Sequence, residues 1–326
     1  LYYREPEATK AATRYADQEE NSMNQALNQS GPVRWWERIK QNRLAYAFIL
    51  PSLLTIAGII LLPLIQVLLI SFHRYYLVEI LTKGTPFMGL SNYQHILGDP
   101  EFWYSLLITL FFTAACVFFT MLLGLAVALL LHQDFPGNKL VGIAILIPWV
   151  MPRVASSILW RWIYDDQYGI LNFCLSVLGL KNFAGFAWLS NTIPALVAVT
   201  VVIVWQSFPF IAVSLLAGLQ GIPVTVYEAA TIDGAGFCQQ LRFITLPMLW
   251  KLIGILTIIS TIWDFKIFDQ MWVLTEGGPA GSTAILGIYT WITAFARLRM
   301  DRAAAAAVIM LGLVLVGTVF YLKLFL

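Results

Sequence analysis

The chain has few residues with which to do covalent chemistry. Among 326 residues there are three cysteines and three histidines, and only 12% of positions are charged. Cys116, Cys174 and Cys238 lie far apart in three different segments, so neither a disulfide framework nor a CxxC metal site can be drawn from them. They are expected to be inert packing residues. His73, His95 and His132 are scattered near segment ends without HExxH or similar spacing, which argues against a metal site. No GxxxxGK[ST] loop is present to cradle ATP phosphates, and no GxSxG or other catalytic constellation occurs, so an enzyme ranks last among the functional classes. The net charge of +2, with no basic stripe interleaved with aromatics, sets nucleic acid aside as a partner.

Apolar sequence is what the chain has in quantity. It is 59% hydrophobic, with a mean hydropathy of +0.76, far too apolar for a soluble domain of this length. A helix needs roughly 20 apolar residues to cross about 30 Å of hydrocarbon. Six stretches meet that length, at about 44–72, 102–131, 140–160, 192–218, 251–275 and 303–323. An even number of spans puts both termini on one side. A further apolar run at 284–297 is too short to cross and is expected to be a re-entrant or interfacial helix on the outer side.

The intervening segments sort by composition. Residues 1–30 carry five acidic and three basic side chains and bury too little apolar surface to fold alone. Residues 31–43 place Trp35 and Trp36 among Arg34, Arg38, Lys40 and Arg43, as expected of a segment at the headgroup level before the first span. The organisation is therefore an N-terminal extension and interfacial segment, 1–43, followed by a six-helix domain, 44–326. The sequence opens on Leu1 rather than Met, so the natural start is expected to lie upstream; no cleavable signal peptide is legible. Eight Lys or Arg flank the spans on the N-terminal side against seven on the other, a weak bias for orientation.

The most informative stretch is the polar gap at 219–250. Pro223 suits the first turn of a helix, and Val224 to Ile232 can continue it. Asp233 and Gly234 supply a turn, since glycine accepts backbone angles other residues resist. A second helix from about Gly236 leads through Pro247 into the fifth span. The expected product is a short bent helix pair, with Ala229, Ala230 and Ala235 permitting close approach by another surface.

Glu228, Ala229 and Ala230, then Gly234 three residues on, then Ile244, Leu246 and Pro247 after nine more, match the EAA signature at every defining position. With its Asp-Gly-Ala variant, the segment resembles that of binding-protein-dependent ABC importer permeases of the carbohydrate-uptake branch, and specifically the maltose-type first permease subunit. LTEGGPAGST at 274–283 is similar to the LTxGGP stretch after that family's fifth span, and YGILN at 168–172 to its outer loop after the third. One departure is the start of the last span, where Met300, Asp301 and Arg302 precede Ala303 to Ala307 in place of a Gly-Tyr-Ala-Ala-Ala pattern.

The resemblance implies an all-α membrane protein with the type I ABC importer permease fold, six transmembrane helices and a cytoplasmic coupling helix. It implies that Glu228, Ala229, Ala230, Asp233, Gly234, Ala235, Leu246 and Pro247 serve coupling to a separate ATP-binding subunit, with Glu228 offering a carboxylate and Gly234 setting the bend. Implied partners are a second homologous permease, an ATP-binding cassette ATPase dimer, an extracytoplasmic solute-binding protein, the sugar, and membrane lipids. The chain itself would carry no cofactor, with Mg-ATP bound in the ATPase. It would lie in a bacterial or archaeal plasma membrane, with both termini cytoplasmic.

Polar groups inside spans are costly and usually face a cavity or partner. Span four carries Ile203, Gln206, Ser207 and Phe210 at i, i+3, i+4 and i+7, near Pro209. In span five, Trp263, Lys266 and Gln270 fall at i, i+3 and i+7, and Asp269 lies three residues from Lys266, within reach of a local ion pair. The matching parts of maltose-type permeases line a sugar cavity; the alternative is helix packing plus a structural ion pair. Arg153 in span three reads as a further buried cation, either lining the pathway or paired with an acid, while Ser156 and Ser157 read as packing residues. The competing function is an ion-coupled secondary transporter using Asp264, Lys266 and Asp269 as a relay.

Overall fold

The computed structural model describes residues 43–76 and 84–325. The N-terminal extension and the Trp35–Trp36 segment lie outside the described residues. Two compact units divide the chain at Ile65 and Gln66. The first contributes most of helix α1, Arg43–Ser71, whose residues before Ile65 are all exposed. Everything else belongs to the second unit.

That unit comprises, among the described residues, α2 (Ser91–Leu97), α3 (Pro100–Leu131), α4 (Asn138–Val150), α5 (Arg153–Ile163), α6 (Ile170–Val177), α7 (Thr192–Gln220), α8 (Val224–Ile232), α9 (Phe237–Phe265), α10 (Asp269–Thr275), α11 (Leu286–Ala296) and α12 (Met300–Phe325). With α1, the helices α3, α7, α9 and α12 are each long and apolar enough to cross a membrane. The chain is an all-α, multi-pass membrane protein.

The directions of the helices follow from what they touch. Phe112 and Cys116 of α3 share a core with Ala198 to Ile203 of α7, Gly124 meets Ile211, and Ala128 clusters with Leu215 and Leu219. The two helices therefore run parallel. A Cβ on Gly124 would lie 2.6 Å from Ile211 Cγ2 and 3.3 Å from the Ala212 nitrogen, so this pair needs a residue without a side chain. Helix α9 is antiparallel to both: Leu249 and Leu252 abut Gly218, while Phe265 clusters with Phe102. Helix α12 returns, with Ala305 beside Phe265 and Phe325 against Gly254. One end of the unit thus holds the starts of α3, α7 and α12 with their long loops; the other, the knuckle end, holds α8, the start of α9 and the end of α12.

Because α3 finishes at the knuckle end and its parallel neighbour α7 starts at the loop end, the chain between them has to cross. It does so as two helices. The expected third span at 140–160 is not one rod but α4 and α5, bent by 98°. Met151 and Pro152 are both extended, with ψ of 136° and 133°. Proline supplies no N–H and disfavours the helical conformation in the residue before it, which accounts for the break.

Other expectations shift. The fifth span is Phe237–Phe265 rather than 251–275: it starts directly after the knuckle, passes through a π turn at Leu241–Thr245 ahead of Pro247, and ends where the chain breaks at Lys266. Of the two expectations for the short run at 284–297, the interfacial one is not met: α11 and the residue before it bury Ile285, Leu286 and Ile288 in the bundle core, which leaves the re-entrant one. Of the cysteines only Cys116 is buried, so Cys174 and Cys238 are not packing residues.

The arginines before the last span brace the loop end. Arg299 grips the buried Asp301 carboxylate through two bonds of 3.0 and 2.9 Å and lies over the Tyr76 ring. Arg297 pairs with Glu101, and the Tyr289 hydroxyl donates to Asp99 Oδ2 at 2.6 Å. Burial first, and then the Asp99 carboxylate, push that hydroxyl above the ordinary tyrosine range, so it stays the donor.

Candidate functional sites: a helix knuckle and a polar cavity

Helix α8 ends where Asp233 stops the helical path and Gly234 takes φ of +81°. Gly234 N–H donates to Thr231 O at 3.0 Å and Ala235 N–H reaches back to Ala230 O at 2.9 Å. These are the two bonds of a Schellman cap, which depends on a residue that tolerates the left-handed region. Gly236 N–H then donates to Gln239 Oε1 at 2.8 Å, opening α9.

Side chains hold the two arms in one shape. The Tyr227 and Thr245 hydroxyls meet at 2.9 Å, and Gln240 Nε2 donates to Thr231 Oγ1 at 3.0 Å and to Ala235 O at 3.1 Å. Glu228, Ala229, Asp233 and Gly234 are exposed, with Ala230 and Ala235 half-buried. Beside them Ile232 is 87% exposed and Phe237 61% exposed, so the tip presents apolar surface next to a carboxylate. Leu246 and Pro247 are not at the tip; they sit beyond the π turn along an apolar groove shared with Trp250.

The second site is a cavity of about 260 Å³ at the break between α4 and α5, closed by α7, the end of α9 and α10. The helix break makes it polar. Because the backbone is extended at Met151, its carbonyl has no helical N–H to meet and accepts from Gln206 Nε2 at 2.7 Å. Gln206 Oε1 in turn accepts from Gln270 Nε2 at 2.7 Å and from Ser156 Oγ at 3.2 Å. One buried glutamine thereby ties α5, α7 and α10 to the broken backbone. An aromatic trio forms part of the wall: Trp149 stacks on Phe210 at 5.0 Å, and Trp263 lies 5.5 Å from Trp149 and 5.2 Å from Phe210.

Sequence spacing found part of this set. Gln206, Ser207, Trp263 and Gln270 line the cavity and Phe210 backs it through the trio. Ile203 does not; it is buried in the hydrophobic core. Lys266 and Asp269 are both exposed and outside the cavity, and no ion pair joins them among the described residues. Since α9 stops at Phe265, the i, i+3, i+7 spacing from Trp263 never becomes one helical face. The relay through Asp264, Lys266 and Asp269 is likewise not assembled.

Arg153 is exposed, not buried, and contributes to the cavity lining. Ser156 and Ser157 pack as expected, both donating to Arg153 O. Trp149 and Asp264 are among the lining groups that escaped the spacing argument. Trp149 precedes the helix break, and its distance from Phe210 in sequence hides the stack. Asp264 is buried in the wall with Oδ2 lacking any hydrogen-bond partner. A carboxylate in an apolar span was the available signal, and it put Asp264 into the relay reading and not into the cavity. No group of three or more metal-ligating side chains occurs among the described residues.

Comparison with known proteins places this geometry in context. No protein-family model matches the chain. It is 37% identical over 289 residues to the trehalose/maltose transport system permease protein MalF of Thermococcus litoralis, covering 88% of this chain and 95% of the relative. It is 32% identical over 279 residues to the diacetylchitobiose uptake system permease protein DasB of Streptomyces coelicolor, covering 85% of each. The fold matches a bacterial ABC transporter involved in the import of the acidic polysaccharide alginate, with a TM-score of 0.76 at 21% identity over 89% of this chain and 98% of the other. Identity of this extent along nearly the whole length of such relatives shows that the chain belongs to the sugar-uptake ABC transporter permeases, as a transport subunit and not an enzyme.

Proposed function

We propose that the chain forms half of the pathway of an ATP-driven, binding-protein-dependent importer for a sugar or oligosaccharide, and that the cavity at the broken helix is its share of the solute site. The observation that carries this reading is the pairing of a shared-glutamine amide network with the Trp149, Phe210 and Trp263 faces. Amides exchange hydrogen bonds with hydroxyls, and aromatic faces cover the C–H faces of a sugar ring. At about 260 Å³ the cavity is smaller than the roughly 300–1,000 Å³ usual for a small-molecule pocket, as suits a site whose other wall belongs to a second permease. Arg153 and Asp264 add a guanidinium and a carboxyl group to the lining, so acidic and phosphorylated sugars belong in any substrate panel.

In this reading the α8 knuckle faces the cytoplasm and docks on an ATP-binding cassette dimer that holds Mg-ATP. Glu228 and Asp233 meet cationic groups of that subunit, while Ile232 and Phe237 enter an apolar recess. Closure of the ATPase pair moves the knuckle as one body, because the Schellman cap and the Tyr227–Thr245 bond leave it little freedom to flex. The cavity then opens toward an extracytoplasmic solute-binding protein, and hydrolysis resets it. Both termini lie in the cytoplasm.

Uptake of labelled maltose, trehalose, diacetylchitobiose, an acidic sugar and a sugar phosphate into vesicles tests this directly. Vesicles carrying both permeases and the ATPase, given ATP inside and a loaded binding protein outside, should accumulate solute. Vesicles with this chain alone should not; accumulation there under a proton or sodium gradient would replace the proposal with the secondary-transporter reading.

A further inference from the structure

Helix α6 turns its apolar side the wrong way for a helix packed on a protein in water. Its inner face carries half-buried Leu171 and Leu175, with Asn172 buried at the centre. Asn172 Nδ2 donates to Phe186 O at 3.0 Å and to Asp166 O at 3.3 Å, and its Oδ1 accepts from Trp188 Nε1 at 2.7 Å. Trp188 is stacked on Phe183 at 5.4 Å and edged by Phe186 at 4.9 Å, so the helix is clamped in one orientation. The opposite face is Ile170, Phe173, Cys174, Val177 and Leu178, all exposed, with Phe173 at 67% and Leu178 at 77%. At 100° per residue these five positions fall on one continuous side, with no polar group among them.

Place and charge say what covers that face. The α6 helix is at the loop end, separated from α5 by six residues and well before α7 begins, so both of its neighbours along the chain are membrane-crossing segments. Trp162 in the last turn of α5 and Tyr168 in the loop before α6 are strongly exposed, and they are the residue types that gather at a bilayer interface. From Gln167 to Ser190 there is no acidic residue and a single cation, Lys181, on the turn that follows the helix. The nearest acids precede the segment, and Asp165 is turned back to accept from the Gln167 and Tyr168 backbone nitrogens. The face itself carries no polar side chain and lies between spans, while Lys181 stands at one edge and Asp166, Gln167 and Ser176 border Ile170 and Phe173, the amphipathic arrangement of an interfacial helix.

We propose that α6 lies in the leaflet at the loop end, parallel to the membrane plane, with Ile170, Phe173, Val177 and Leu178 among the acyl chains and Lys181 at the phosphate level. It anchors the connection between the broken crossing and α7, next to the Trp188 clamp that reaches Tyr164 and the core. The inference needs only a membrane-embedded chain, so it stands whether or not the transported solute is a sugar.

Cys174 is a native probe on the face in question. The assembled transporter, with Cys238→Ser and the buried Cys116 untouched, is labelled at Cys174 with an environment-sensitive fluorophore and reconstituted in phosphatidylcholine and phosphatidylglycerol vesicles. Nitroxide lipids labelled near the headgroup should quench the fluorophore at least twofold more than lipids labelled at the chain terminus, and aqueous iodide should quench it weakly. Strong quenching by iodide with none from either lipid would overturn the proposal in favour of a water-facing helix. Shielding from iodide and both lipids alike would overturn it in favour of a covering protein. A solute-uptake assay on the same vesicles separates failure of this proposal from failure of the transport reading.

Discussion

The knuckle and the cavity differ in how far apart in sequence their parts lie. The knuckle is made within some 20 residues, and its decisive bonds join backbone groups five or fewer positions apart. The cavity joins groups from α4, α5, α7, α9 and α10, and its central bond, from Gln270 to Gln206, spans 64 positions. Local chemistry writes the first shape; the second exists only after a helix has broken and three neighbours have packed around the break. The knuckle should therefore fail through backbone conformation, and the cavity through loss of shared partners.

The largest effect is expected at Gly234. A Cβ there would meet nothing within 4 Å, so space plays no part. What matters is φ of +81°, a region that costs an ordinary residue about 1–2 kcal/mol and a β-branched one more. Gly234→Val should unwind the Schellman cap and cut uptake by roughly tenfold or more, since about 1.4 kcal/mol is a factor of ten. Its ATPase rate should lose dependence on loaded binding protein. Gly234→Asn should keep most of both, because asparagine tolerates the left-handed region. Equal damage from Val and Asn, measured as uptake and ATPase on one preparation, would show that contact with the ATPase and not backbone angle sets the outcome.

This contrast also explains what sequence could supply. The helix at Val224 to Ile232 and the turn at Gly234 were legible because proline and glycine punctuate the backbone regardless of context. Gln206, Trp263 and Gln270 were legible as polar or amphipathic groups in apolar runs. The role of Trp149 was not, because nothing in a hydropathy trace marks Met151–Pro152 as a 98° break rather than a mild kink. For the same reason helical spacing puts Ile203 on the face of Gln206 although it packs in the hydrophobic core: spacing gives a face but not which neighbour it meets. The loop helices α2, α6 and α10 are each seven or eight residues long and fell below the length at which periodicity is informative.

A middling effect is expected at Gln206, where the cavity's polar groups converge. Gln206→Leu keeps the volume but strands Met151 O and Gln270 Nε2, and a buried polar group left unpaired costs about 1–3 kcal/mol. The variant should melt at lower temperature and need a higher solute concentration for half-maximal uptake. Adding Gln270→Leu should cost much less than it does alone, because the Gln270 donor has already lost its acceptor. Additive losses in stability would mean that the two amides do not share a bond in the membrane.

The smallest effect separates the helical wheel from the folded chain most cleanly. If α9 had continued, Lys266 would stand on the same face as Trp263 and Gln270, and removing a cation from the middle of a pathway would reduce uptake severely. Instead α9 ends at Phe265, Phe268 adopts φ of −135° and ψ of −53°, and α10 brings Gln270 back to the cavity while Lys266 remains exposed. An exposed ammonium with no ion pair among the described residues contributes within about 0.5 kcal/mol to stability. Lys266→Ala should thus leave uptake within about twofold of the parent and the melting temperature unchanged. Should Lys266→Ala abolish uptake while Lys266→Arg preserves it, the charge itself is required, and the second permease must be what draws that exposed turn into the pathway.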